Sequence, residues 1–224
     1  MDLSIIWTAG IFVHLALLFY VLGFMIRDEL WLRALILVGT GFYILYYYFA
    51  ADAPLWDAIF ASGVIGTVNI VMILVIMRER STFGMSAEML SIYRSFPTLS
   101  PGQFRRIMSV AERRTITQST PICDEGVAPG HLFFVISGEM TLDRKGEKVR
   151  AAGGSFVGEI SFLLDGPASA TVVLEEGSQY LAWPRPALRR MMRRSDALAN
   201  ALAALFNRDL AGKLSRSMPR EYTR

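Results

Sequence analysis

Three uncharged runs fill most of the first third of the chain: Leu3 to Ile26, Ala34 to Ala51 and Ala58 to Met77. Each is about as long as a helix needs to be to cross the hydrocarbon core of a bilayer. Hydrophobic residues make up 53% of the 224 positions, which is high for a wholly soluble chain and implies a division between membrane and water. The first run has the length of a signal peptide. However, Met1-Asp2 carries no basic charge and a second run follows at once, so the reading is three retained spans.

The flanking charges set an orientation. Arg27 and Arg33 lie between the first and second spans and Arg78 and Arg80 follow the third, whereas the segment ADAPLWD between spans two and three has no basic residue. Positive-inside bias then predicts an outside N-terminus and a large cytoplasmic C-terminal part at the cell membrane. All but two of the 23 Lys and Arg lie beyond Met77, so that part is basic overall. A basic face suits the anionic inner leaflet, making membrane lipid an expected partner, and an ordinary solvated surface reads equally well. No nucleic-acid partner is expected.

One cysteine, Cys123, excludes an intramolecular disulfide, and two histidines, His14 and His131, provide no metal-ligand cluster. His14 falls inside the first span, where packing against another helix is the leading reading. The aromatic group from Phe42 to Phe49 closes the second span at its expected headgroup boundary, and Asp57 opens the third.

Beyond Met77 the pattern changes. Ala87 to Tyr93 reads as a short amphipathic helix, and Ser100-Pro101 reads as an N-cap followed by the first helical position. From Arg114 onward short strands alternate with turns at roughly ten-residue spacing, which indicates a small β-barrel or roll. Ala187 to Leu214 is helical again, with Leu188, Met191, Met192, Leu198, Leu202, Leu205, Phe206 and Leu210 at three- and four-residue steps. The fold class is membrane α plus soluble α+β. The expected domains are 1-80 with three transmembrane helices, 81-214 with a cytoplasmic β-roll and flanking helices, and a basic tail at 215-224.

The stretch GHLFFVISGEMTL, followed by GSFVGEISFLLDGPASATVV, resembles the cyclic-nucleotide-binding family in spacing, glycines, acidic residue and Ala-Thr-Val exit strand. The resemblance implies a β-roll carrying an Ile-Ser-Gly hairpin and a phosphate-binding cassette, whose short helix offers its amides to a cyclic phosphate. It also implies that Glu159 accepts from a ribose hydroxyl, with Gly158 and Ile160 supplying backbone around it. The implied ligand-binding set is Phe156, Val157, Gly158, Glu159, Ile160, Ser161, Ala168, Ser169, Ala170 and Thr171. The family's phosphate-pairing arginine falls at Ala168, and no Arg or Lys lies between Arg150 and Arg185. Loss of a bidentate guanidinium contact weakens such a site by one or two orders of magnitude.

The whole-chain layout, together with the ending YLAWPRPALRRMM, is similar to the Popeye domain-containing membrane proteins. That resemblance implies a membrane-anchored cAMP sensor or effector acting on a partner protein through its C-terminal helix. The cassette departs from the Popeye pattern at Val157-Gly158-Glu159-Ile160 and at Ala168 to Val172. No cofactor is obligatory, and cAMP is the candidate ligand. Leu188, Met191 and Met192 are expected to cover the pocket, and Ala197, Ala201 and Ala204 permit a homodimer seam. The alternative is a scaffold whose degenerate roll binds partner proteins without nucleotide. No enzyme is expected, because no nucleophile has a base beside it. The residues after Trp183 leave no room for a helix-turn-helix beyond the closing helix.

Overall fold

In the computed structural model the described backbone covers residues 3–50 and 53–217, with side chains described for 10–50 and 53–215. The chain divides into two compact units, Met1–Ser81 and Thr82–Arg224.

The first unit is three helices: α1 (Leu3–Met25), α2 (Glu29–Phe49) and α3 (Trp56–Arg80). Asp28 starts α2 by accepting from the amides of Leu30 and Trp31, and its second oxygen meets Arg80 of α3 at 2.9 Å. One carboxylate therefore caps one helix and ties down the end of another. Between α1 and α2 the Tyr20 and Thr40 hydroxyls bond at 3.0 Å, close to where Gly39 packs against Ala16 and Tyr20. Among the described residues two helices, Glu29–Phe49 and Trp56–Arg80, are long and apolar enough to cross a membrane; Gly10–Met25 counts only as a shorter apolar helix. Two of the three expected spans thus pass among the described residues, and the first is described with side chains only from Gly10.

The second unit begins with α4 (Ala87–Tyr93) and α5 (Pro101–Met108), then β1 (Glu112–Thr115), β2 (Thr120–Cys123), β3 (His131–Ser137), β4 (Glu139–Arg144), β5 (Glu147–Ala152) and β6 (Ser155–Val157). It continues with α6 (Glu159–Leu164), β7 (Thr171–Leu174), β8 (Gln179–Pro184), α7 (Arg185–Arg193) and α8 (Asp196–Ser217). Ser100 and Gln103 form a reciprocal capping box at α5, with Pro101 behind the cap. The strands pair antiparallel in two four-stranded sheets, β1-β8-β3-β6 and β2-β7-β4-β5. The β3–β4 hairpin turns at Gly138, where φ is +102° and an added Cβ would lie 2.6 Å from the Ser178 Cα, so only glycine fits.

β3 explains why its sequence is apolar without alternation. Phe133 and Val135 face Cys123, Met140, Val172 and Leu174 between the sheets, whereas Leu132 and Phe134 face the helical layer. Both faces are covered, so neither needs polar residues. The helical side centres on Phe96, whose ring lies 4.9 Å from Phe134 and 5.2 Å from Phe104. Trp183 is buried there, and its indole N–H donates to the Ile107 carbonyl at 2.9 Å.

The tail is two helices rather than one. Arg194 and Ser195 break it, and the Ser195 hydroxyl accepts from the Leu198 amide as an N-cap. α8 then runs to Ser217, so the first residues of the expected tail at 215-224 are helical. The part from 218 to 224 lies outside the described residues.

Candidate ligand-binding site

β6 leads into α6 through Gly158, whose φ of +84° turns the chain so that Glu159 stands at the head of the helix. The first-turn amides of α6 have no intrahelical acceptor, which makes the turn an anion-accepting surface. At the other end Asp165 adopts φ +56° and its carboxylate receives Arg185 at 3.2 Å and Arg189 at 2.9 Å.

A cavity of about 730 Å³ opens between this turn, β4, β5, the start of β7 and the end of α8. That volume suits a small organic ligand. Nine of the ten sequence-derived site residues line it; Thr171 does not, and its hydroxyl instead accepts from the Glu125 amide at 3.0 Å. Ala168 is buried on the wall and its main chain is fully used: its N–H donates to Val127 and its carbonyl accepts from Gly126. The Ser161 hydroxyl is also committed, donating to the Gly166 carbonyl and accepting from Arg185 at 3.1 Å, so it braces the cassette rather than facing a ligand.

Glu159 is only 4% exposed. Its carboxylate is paired: Lys213 of α8 reaches it at 2.7 Å. The ammonium also donates to the Phe156 carbonyl at 2.6 Å and meets Asp209 at 2.8 Å. Arg144 and Arg150 add positive charge to the wall from β4 and β5, and Glu147 adds negative charge. Cys123 lines the same cavity as a free thiol, and burial pushes its pKa up, with the Asp124 and Glu159 carboxylates acting in the same direction. Among the described residues no group of three or more His, Cys, Asp and Glu is placed to hold a metal ion.

Leu188, Met191 and Met192 do not cover the cavity. Leu188 is buried in the helical layer and the two methionines pack against it. The covering residues are Leu210, Lys213 and Leu214 of α8. Of the proposed seam, Ala197 and Ala204 are exposed and Ala201 is half-buried.

Residues 113–195 match the cyclic nucleotide-binding domain family. That segment carries the roll, the cassette and α7. A curated relative, the cyclic AMP receptor protein of Thermus thermophilus, is 33% identical over 121 residues, covering 51% of this chain. The match spans 56% of that relative's own length. A solved cyclic nucleotide-binding domain from Methylobacillus flagellatus superposes with a TM-score of 0.52 at 18% identity, over 58% of this chain and 80% of that one. A solved chain from Geobacter metallireducens gives 0.51 at 20% identity, over 58% and 98% respectively. These two likenesses establish the fold of the roll with its flanking helices.

The sequence missed Lys213, Arg144 and Arg150. An Asp209–Lys213 pair at i,i+4 was visible as a helix pair. Nothing in the spacing tied Lys213 to Glu159.

Proposed function

We propose that this chain is a membrane-anchored cyclic-nucleotide sensor with a Popeye-type layout, in which the 81-214 domain lies in the cytoplasm and α8 passes the ligand signal to a partner protein. cAMP is the ligand favoured by the curated relative's description. The observation that carries this reading is Glu159, a buried carboxylate at the head of a Gly-Glu cassette facing a cavity of about 730 Å³. Glu159 accepts the ribose hydroxyl, the first turn of α6 faces the phosphate, and Arg144 and Arg150 supply the positive field that Ala168 does not. The helices Glu29–Phe49 and Trp56–Arg80 support anchoring by their length and apolarity. Contact with membrane lipid and homodimerisation complete the proposal, and no catalytic step is part of it.

A second reading, a scaffold that binds partner proteins without nucleotide, is favoured by Ala168 alone. Isothermal titration of the detergent-purified chain with cAMP and cGMP, beside Glu159→Gln and Ala168→Arg, separates the two. Nucleotide sensing predicts binding that is lost in Glu159→Gln and strengthened about 10- to 100-fold in Ala168→Arg. Absence of binding by the native chain, with binding gained by Ala168→Arg, selects the scaffold.

A further inference from the structure

β6 is the edge of its sheet, and an edge strand leaves main-chain groups without a strand partner. α8 covers this edge. Asp209 accepts from the Phe156 amide at 3.4 Å while Lys213 donates to the Phe156 carbonyl at 2.6 Å. One turn of helix thereby clips both polar groups of one residue. This much is structural. The remaining bond is different in kind, because the Lys213 ammonium also donates to Glu159 at 2.7 Å.

An ammonium has three N–H donors. Lys213 donates to Phe156 and Glu159 and is ion-paired with Asp209 at 2.8 Å, so its charge is already balanced by two carboxylates. Leu210 and Leu214 lie on the same helix face at three- and four-residue steps and line the same cavity. The earlier part of α8 is fixed by Leu198, Leu202, Leu205 and Phe206, all deeply buried. Only its last turns stand over the ligand cavity.

We propose that Lys213 is a built-in competitor for Glu159, and that the end of α8 is a latch which a ligand must open. This rests on the reading of Glu159 as the ribose acceptor. A ribose hydroxyl and the Lys213 ammonium claim the same carboxylate, so nucleotide binding and latch closure oppose each other. The coupling is reciprocal: bound ligand weakens the Lys213–Glu159 contact by the same factor by which that contact weakens ligand binding. Ligand entry then frees the last turns of α8, so that the ligand opens the helix rather than closing it.

The test uses the full chain in detergent, with cAMP and cGMP as probes, and compares native protein with Lys213→Met and Glu159→Gln. Methionine keeps the length and packing of the stem while removing the charge. The latch predicts about tenfold tighter nucleotide binding by Lys213→Met. It also predicts faster amide exchange across 209–215 in both variants without ligand, and in the native chain on saturation with nucleotide. Glu159→Gln loosens the helix without the gain in affinity. Equal or weaker binding by a folded Lys213→Met chain overturns the latch and leaves the nucleotide reading intact. If neither native nor Lys213→Met binds nucleotide, the nucleotide reading falls and exchange alone judges the latch. Unchanged protection over 209–215 in Lys213→Met then overturns it, and a loss of protection there upholds Lys213 as the residue that holds α8 on the cassette.

Discussion

The Arg185 guanidinium, at the first residue of α7, donates to the Ser161 carbonyl at 2.9 Å and to the Ser161 hydroxyl at 3.1 Å. It also donates to the Pro129 carbonyl at 3.1 Å, although it is only 9% exposed. The end of the roll thus holds the cassette through Ser161, although Arg185 itself does not line the cavity. Replacing Arg185 by Met leaves these buried acceptors without a donor and should cost about 2–3 kcal/mol. The melting temperature of the chain in detergent should fall by roughly 4–12 °C. Arg185→Met with an unchanged melt would refute the bracing role.

Gly158 sits at φ +84°, yet a Cβ there would meet Pro129 only at 3.5 Å, an ordinary contact. Gly158→Ala should therefore cost only left-handed backbone strain, about 1–2 kcal/mol, with no steric clash added. A loss well above that in denaturant titration would mean that the turn is tighter than its geometry indicates.

Cys123 is buried and its pKa is raised, first by desolvation and then by Asp124 and Glu159. Less thiolate is present at any neutral or mildly alkaline pH than in free cysteine, and the residue is only 5% exposed. A chromogenic disulfide reagent at pH 8 should react more than tenfold more slowly with the native chain than with the chain in guanidinium. Equal rates would contradict the buried placement.

Glu175 is held below the usual carboxylate range by hydrogen bonds from Ser119 at 2.6 Å and Thr141 at 3.1 Å, with Arg150 adding a favourable charge. Its folded pKa lies below its unfolded one. The stability it contributes is therefore present above the unfolded pKa, about 4.3, and is lost as pH falls through the folded value. Glu175→Gln should flatten the acid limb of the stability curve below roughly pH 5 and leave the neutral region shaped as before. An acid limb of unchanged slope would show that Glu175 does not couple folding to protons.

How far the sequence was legible depended on chain distance. The cap at Ser100 was readable because its requirement is met within a few residues, whereas the hairpin at Gly138, which closes against Ser178, and the cassette glycine at 158 were legible only through the family resemblance. The break at Ser195 was also locally encoded, since Ser195 and Asp196 supply a cap and a first-turn acid. The continuous apolar periodicity from Leu188 to Leu210 hid it, because both helices present apolar faces to the same layer. Periodicity likewise could not say which wall Leu188, Met191 and Met192 would meet. The Lys213–Glu159 pair joins residues 54 apart, and no local rule brings them together.

Phe206 is fully buried, whereas Leu214, two turns on, is 60% exposed. α8 is therefore a beam clamped at one end and resting on a charged pin at the other. Release of the pin loosens the last turns of α8 while the half around Phe206 stays in place. A binding event in the cavity would then be read as the order of one helix end, with neither sheet rearranged.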